Sequence, residues 1–331
     1  MPHLAVTSNQ AMEENGAHTA WKNSWKSKPY LEVSRPKSHM SQLPKLNIWF
    51  EGSRPKTIPA AIVPVIVGTA SVETGLTLHR FVLALVVSIA LQIGVNYAND
   101  YSDGIRGTDQ DRVGPRRLVG SGLINANQVK LAAGISFLIA AIAGLVLAIM
   151  TSLWLILIGC IAILAAWFYT GGSRPYGYSG YGEVSVFVFF GLVATVGSSY
   201  VQSQTIESIS ILCSVPVGLL ASALLVVNNF RDIETDSETG KQTFAVRLGK
   251  AKTKMFFALL LLASLGMYVL LAVFYTYLVL ITLVVIPLIL KLIYDIFSKE
   301  DAQDLINILE NTAKLHLLAG ILLSIGLAAG V

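Results

Sequence analysis

From residue 57 onward the apolar residues run in long blocks separated by shorter polar stretches. Blocks near 57–74, 79–98, 130–149, 152–170, 184–201, 209–229, 255–273, 275–295 and 315–331 are visible. Each is about long enough to cross a hydrocarbon core of roughly 30 Å at about 1.5 Å of helix rise per residue. The pattern predicts an all-α, polytopic membrane protein with nine transmembrane helices. Pro59, Pro64, Pro216 and Pro287 fall within the blocks, where neighbouring helices, side chains or waters satisfy the freed backbone groups, so they predict kinks and not breaks. Residues 1–47 are polar and lack the apolar core of a secretory signal. They read as a flexible cytoplasmic tail ahead of a nine-helix domain over residues 48–331.

The polar stretches give the orientation. Lys and Arg number eight before residue 57, five in 99–130, one in 171–182 (Arg174), six in 230–254 and three in 291–314. With nine helices all of these fall on one side, and only Arg80 falls on the other. Basic loops mark the cytoplasmic side, which places the N-terminus inside and the C-terminus outside.

Composition agrees with the bilayer as solvent: 54% of residues are hydrophobic and 13% charged, with a mean hydropathy of +0.63, far too apolar for an ordinary soluble domain. The net charge of +4 belongs to the cytoplasmic face, where it attracts anionic membrane lipid and an anionic substrate. It does not point to nucleic acid. Cys160 and Cys213 have no CxxC partner and the histidines are scattered, so neither a disulfide framework nor a zinc site is indicated.

Ionisable residues at the ends of membrane helices are costly and need a reason. Two groups stand out. After the second block come Asn96, Asn99, Asp100 and Asp103, continuing to Asp109 and Asp111; after the sixth come Asn228, Asp232 and Asp236, then Gly240 and Lys241. Spacings of three and four put such residues on one helical face. In both groups a Val-Asn pair precedes an Asp four positions after the Asn, which reads as a short internal repeat. Two carboxylate clusters facing one cavity repel unless a cation lies between them. Oxygen-only ligands without convergent His or Cys select Mg²⁺ or Mn²⁺, and Mg²⁺ characteristically adds phosphate oxygens from a substrate. Arg54, Lys56, Arg112, Arg174 and Lys241 lie on the same side and are candidate diphosphate clamps, whereas Arg116, Arg117, Lys250, Lys252 and Lys254 read as topology signals. Tyr169, Tyr176, Tyr178 and Tyr181 crowd one helix end, as an aromatic belt or as faces that stabilise a carbocation by roughly 0.5–2 kcal/mol.

These residues resemble the UbiA superfamily of intramembrane prenyltransferases over about residues 48–330. The superfamily motif NDxxDxxxD appears as Asn99-Asp100-x-x-Asp103, with Gly107 at its last position and Asp109 the nearest acid; DxxxD appears as Asp232 and Asp236. Arg54-Pro55-Lys56-Thr57, Asp111-Arg112-Val113-Gly114-Pro115, the run from Tyr169 to Tyr178 and Gly240-Lys241 resemble the 1,4-dihydroxy-2-naphthoate polyprenyltransferase branch. The resemblance implies nine helices around a central cavity, in a bacterial inner or plasma membrane. It implies Asp100, Asp103, Asp232 and Asp236 as ligands of Mg²⁺ bridging a polyprenyl diphosphate, with Asn96, Asn99 and Asn228 assisting. The acceptor implied is 1,4-dihydroxy-2-naphthoate, prenylated with loss of CO₂. On this reading alanine at Asp100 or Asp232 abolishes turnover in a folded protein. Two rivals are another aromatic acceptor, such as 4-hydroxybenzoate or homogentisate, on the same scaffold, and an ion-coupled transporter. Acids at one membrane face, not at the midplane, disfavour the transporter.

Overall fold

The structure, a computed structural model, describes residues 45–73, 75–108 and 116–330. The expected tail up to residue 44, and Asp109, Asp111 and Arg112, lie outside the described residues. Within them every regular element is helical. In chain order these are α1 (Lys45–Gly52), α2 (Pro59–Ala70), α3 (Leu78–Arg106), α4 (Ala126–Met150), α5 (Trp154–Phe168), α6 (Gly182–Ser203), α7 (Ser208–Arg231), α8 (Ile233–Glu238), α9 (Phe244–Phe274), α10 (Tyr277–Ser298) and α11 (Ala302–Gly330). Seven of them, α3, α4, α6, α7, α9, α10 and α11, are long and apolar enough to cross a membrane. The other two apolar blocks form the shorter helices α2 and α5, of 12 and 15 residues.

The prolines divide by position. Pro64 and Pro216 sit inside α2 and α7. Pro59 and Pro287 instead occupy first turns, where no intrahelical partner awaits the missing N–H, so they start helical segments and do not kink them. Side-chain caps fix other boundaries. Asn125 accepts the Asn127 N–H at 2.9 Å to open α4, and Thr243 accepts from Val246 at 3.4 Å to open α9. Two features escape the sequence pattern: α6 carries a π-helical segment, Phe187–Val193, and α10 begins as the 3₁₀ stretch Tyr277–Val285.

Packing forms two principal apolar clusters. Helices α2, α7, α9, α10 and α11 enclose Phe257, Leu261, Ile289, Leu315 and Leu323, all fully buried. Helices α3, α4 and α5 meet around Tyr97, Val129, Phe137 and Ala166, joined by Leu118 of the following loop. Small residues permit the closest approach. A Cβ on Gly68 of α2 would stand 2.1 Å from the Thr195 carbonyl oxygen of α6. Gly68→Ala therefore forces these helices apart at a cost of about 1–3 kcal/mol, and a lowered melting temperature in detergent checks it.

Between the clusters lies a cavity of about 400 Å³ walled by α2 to α7. It follows α3 from Asp103 back to Ala84, a distance of about 28 Å at the helical rise.

Candidate active site

Both acid clusters reach the mouth of this cavity. Asn96, Asn99 and Asp103 from α3, Asn228 and Asn229 from the end of α7, and Asp232, Asp236 and Lys241 around α8 all line it. Helix α3 brings Asp103 to its last turn because Gly107, at φ 71°, closes the helix in a left-handed turn and Thr108 N–H returns to the Asp103 carbonyl at 3.2 Å. Gly240, at φ 76°, does the same after α8. The Lys241 N–H then bonds the Asp236 carbonyl at 2.8 Å, turning the lysine back over the acids.

Lys241 stands between the two clusters, its Nζ 3.3 Å from Asp103 Oδ1 and 3.7 Å from Asp236 Oδ1. Asp103 also receives Arg117 at 3.4 Å and the hydroxyl of Tyr178. Burial, and after it the charge of Asp103, hold the Tyr178 phenol far above its ordinary pKa, so it remains a neutral donor. The Lys241 ammonium lies 4.7 Å from the centre of that ring. Asp232 pairs with Arg231 through two parallel bonds, Nε to Oδ1 at 2.8 Å and a terminal nitrogen to Oδ2 at 2.9 Å, and Arg231 also reaches Asn228 Oδ1 at 3.0 Å.

The amides are oriented too. Asn96 donates to the Ser53 carbonyl at 2.8 Å and to Thr57 Oγ1 at 3.1 Å. Asn99 Oδ1 accepts from Thr170 at 2.8 Å. Asn229 donates to the buried carboxylate of Glu183 at 2.9 Å.

Asp100 is placed differently from its neighbours. It is 1% exposed, and its two oxygens accept the backbone N–H groups of Leu118 and Val119 at 2.8 and 2.9 Å. It thus ties down the loop that carries Arg117 into the site.

The candidate cations separate likewise. Arg54, in a left-handed backbone conformation at φ 54°, lines the cavity and lies within electrostatic reach of Asp100. Lys56 lines it while paired with Glu310. Arg174 is exposed and is not among the lining residues. Arg117, read from sequence as a topology signal, is instead 9% exposed and on the wall. Tyr178, read from sequence as part of an aromatic belt or a carbocation-stabilising face, instead bonds Asp103, and Arg231 and Asn229, both adjoining the second motif, line or flank the mouth. Tyr169 lines the wall, its ring 5.5 Å from Tyr176 and perpendicular to it.

Below the mouth the lining turns apolar: Leu91, Val95, Leu147, Leu155, Ile158, Phe189, Phe190 and Val193. Among the described residues no three His, Cys, Asp or Glu side chains form a metal cluster by themselves. The arrangement has the charge for a polyanion at the mouth and an apolar lining for a hydrocarbon chain beneath it.

The fold and site define the class: a multi-pass, all-helical membrane protein with a charged mouth over an apolar cavity. The chain belongs to the UbiA prenyltransferase family, whose model matches residues 61–318. It is similar to a 1,4-dihydroxy-2-naphthoate octaprenyltransferase of Mycobacterium tuberculosis, 46% identical over 287 residues that span 85% of this chain and 97% of that protein. The enzyme of the same description from Escherichia coli is 37% identical over 297 residues, 86% of this chain and 96% of that one. A solved UbiA homolog from Archaeoglobus fulgidus bound to GPP and Mg²⁺ shares the fold, with a TM-score of 0.60 at 15% identity over 83% of this chain and 98% of that one.

Proposed function

We propose that the chain transfers a polyprenyl group from its diphosphate to 1,4-dihydroxy-2-naphthoate, releasing diphosphate and CO₂. The acceptor follows from the names of relatives matched along nearly their whole length. The observation that carries the chemistry is the meeting of Asp103, Asp232, Asp236 and Lys241 at the mouth of an apolar cavity.

The donor set suits Mg²⁺: carboxylates and amide oxygens, with neither sulfur nor imidazole on the described wall. Too few acids converge to cage an ion alone, as expected where substrate phosphate oxygens and waters complete the shell. Asp103, Asp232 and Asp236 would hold it, with Asn99 and Asn228 beside them; when bound, Mg²⁺ supplies Lewis-acid neutralisation of the leaving diphosphate. Lys241, Arg117 and Arg231, now paired with those acids, turn to the diphosphate oxygens and stabilise the charge that grows there as the allylic C–O bond breaks. The apolar wall excludes water, and the faces of Tyr169 and Tyr178 stand where the allylic cation forms. The ring carbon bearing the carboxylate attacks that cation. The C–C bond to the carboxylate then breaks, its electron pair returning to the ring as CO₂ departs.

With α2 and α5 counted beside the seven long helices, the domain crosses the membrane nine times, with the N-terminus and the acid-lined mouth on the cytoplasmic side of a bacterial plasma membrane. The test is an acceptor panel on detergent-purified protein with one polyprenyl diphosphate. Product from 1,4-dihydroxy-2-naphthoate alone supports the assignment. Product from 4-hydroxybenzoate or homogentisate in its place overturns the acceptor and keeps the transfer.

A further inference from the structure

We infer that a polar hollow between α10 and α11 binds the phosphate of an anionic phospholipid, with Lys291 and Lys314 as its cationic ligands. The binding holds whatever the acceptor of prenyl transfer and needs only that the helices cross a membrane.

The hollow has a volume of about 260 Å³ and is separate from the prenyl-transfer cavity. Three lysines, Lys291, Lys299 and Lys314, and three acids, Asp295, Asp304 and Glu310, stand on its wall. The acids are already engaged. Asp295, 6% exposed, takes Lys299 at 3.0 Å, and Asp304 lies 3.9 Å from the same ammonium. Glu310 pairs with Lys56, which places the hollow on the same membrane side as the acid-lined mouth. Lys291 and Lys314 differ: among the described residues neither has a carboxylate within 4 Å, and Lys314 donates only to the neutral Asn311 Oδ1 at 3.4 Å. With Lys56 included, four cations meet three acids, so the surplus positive charge falls on these two lysines.

Depth decides which anion fits. Glu310 is tied to the mouth, and Lys314 follows one helical turn later, about 6 Å further into the membrane. Beyond Lys314 the same face of α11 becomes apolar and exposed at Leu318, Ile321 and Ile325, four, seven and eleven residues on; beyond Lys291, α10 does so at Val284 and Ile281. The two ammonium groups therefore sit where polar surface gives way to lipid-facing hydrocarbon, the level of phospholipid phosphates. A single lysine at this depth extends its head to water. Two on the wall of one hollow create a positive potential that a phosphate relieves, and basic pockets between membrane helices take lipid headgroups in this way.

Inorganic phosphate offers the same oxygens but not the acyl chains that would cover the apolar stripes below. The hollow is smaller than the roughly 300–1,000 Å³ that houses a drug-sized ligand, so it suits a headgroup with its chains outside. Choline or ethanolamine would bring a further cation against Lys291 and Lys314. An uncharged glycerol headgroup avoids this, with Asn307 and Asn311 on the wall as partners for its hydroxyls.

The test uses the full chain in phosphatidylcholine nanodiscs with a trace of phosphatidylglycerol carrying a diazirine on its headgroup. Labelling is expected on peptides covering 291–299 and 304–314, displaced by excess unlabelled phosphatidylglycerol and not by further phosphatidylcholine or by inorganic phosphate. The double variant Lys291→Gln, Lys314→Gln, at two exposed positions, should lower that labelling by about tenfold or more. Lys250→Gln with Lys252→Gln, exposed lysines on the same side, should leave it unchanged. Equal displacement by phosphatidylcholine overturns the headgroup selectivity, and displacement by inorganic phosphate overturns the lipid in favour of a free anion. Undiminished labelling in the Lys291→Gln, Lys314→Gln protein overturns the lysines as ligands. The displacement experiment needs only the wild-type chain, so the proposal stays testable whatever the variants' folding.

Discussion

Replacing Asp232 with asparagine is expected to lower kcat by about 10²–10³-fold while the melting temperature in detergent stays near that of the wild type. The substitution keeps the shape of the side chain and removes its charge. In the free protein it loses one partner of the Arg231 fork. In the complex it loses a carboxylate that, on the proposed reading, would hold the Mg²⁺ that neutralises the leaving group, and weakening that neutralisation by as much as one oxyanion-hole donor contributes costs about 2.7–4 kcal/mol of barrier. Asp103→Asn and Asp236→Asn should behave alike, since on the proposed reading all three acids serve one diphosphate. Their pairs should cost less than the product of the single effects, because residues serving one unit are not additive. Turnover within a few-fold of wild type in Asp232→Asn would remove this residue from the site.

Asp100→Ala should also abolish most turnover, but by a different route and with a different signature. Both Asp100 oxygens accept loop amides, so alanine strands two buried donors at about 1–3 kcal/mol each. The loop over residues 117–119 then loses its anchor, and with it Arg117 leaves Asp103. Activity and melting temperature should fall together, whereas in Asp232→Asn only activity falls. This revises the expectation that alanine at Asp100 leaves the fold untouched. A thermal scan of purified Asp100→Ala checks it: a wild-type melting temperature would show the loop to be held by other means.

The contrast shows what could be read from residues alone. Long apolar blocks located the helices because a bilayer leaves the backbone little choice but to form them. Lengths were less legible. Arg54-Pro55 and Pro59 break the chain before α2, and Gly171-Gly172 follows α5, leaving those two helices shorter than their apolar blocks. The Asn/Asp clusters also pointed to the cavity mouth, where Asp103, Asp232 and Asp236 come together, since such residues are costly at the ends of membrane helices. Their individual directions were not legible. Asn99 and Asp100 are adjacent and so point about 100° apart on a helix; Asn99 turns to Thr170 and the cavity, Asp100 to the loop. Arginines were hardest, because a long side chain in an irregular loop has no period to read. Arg117 proved buried and Arg174 exposed, the reverse of their sequence reading. Lys241 was singled out by its acidic context, and the structure puts its ammonium 3.3 Å from Asp103 and 3.7 Å from Asp236.

The most direct test of the account incubates detergent-purified wild-type protein with 1,4-dihydroxy-2-naphthoate and an all-trans polyprenyl diphosphate, with Mg²⁺ or with EDTA, and follows product by mass spectrometry alongside released diphosphate. The account predicts a prenylated naphthoquinol or its quinone, lacking the carboxyl group, formed one-for-one with diphosphate in Mg²⁺ and absent in EDTA. Equal product in EDTA would contradict the role given to the mouth carboxylates, and no prenylated product with any aromatic acceptor in Mg²⁺ would contradict the function itself.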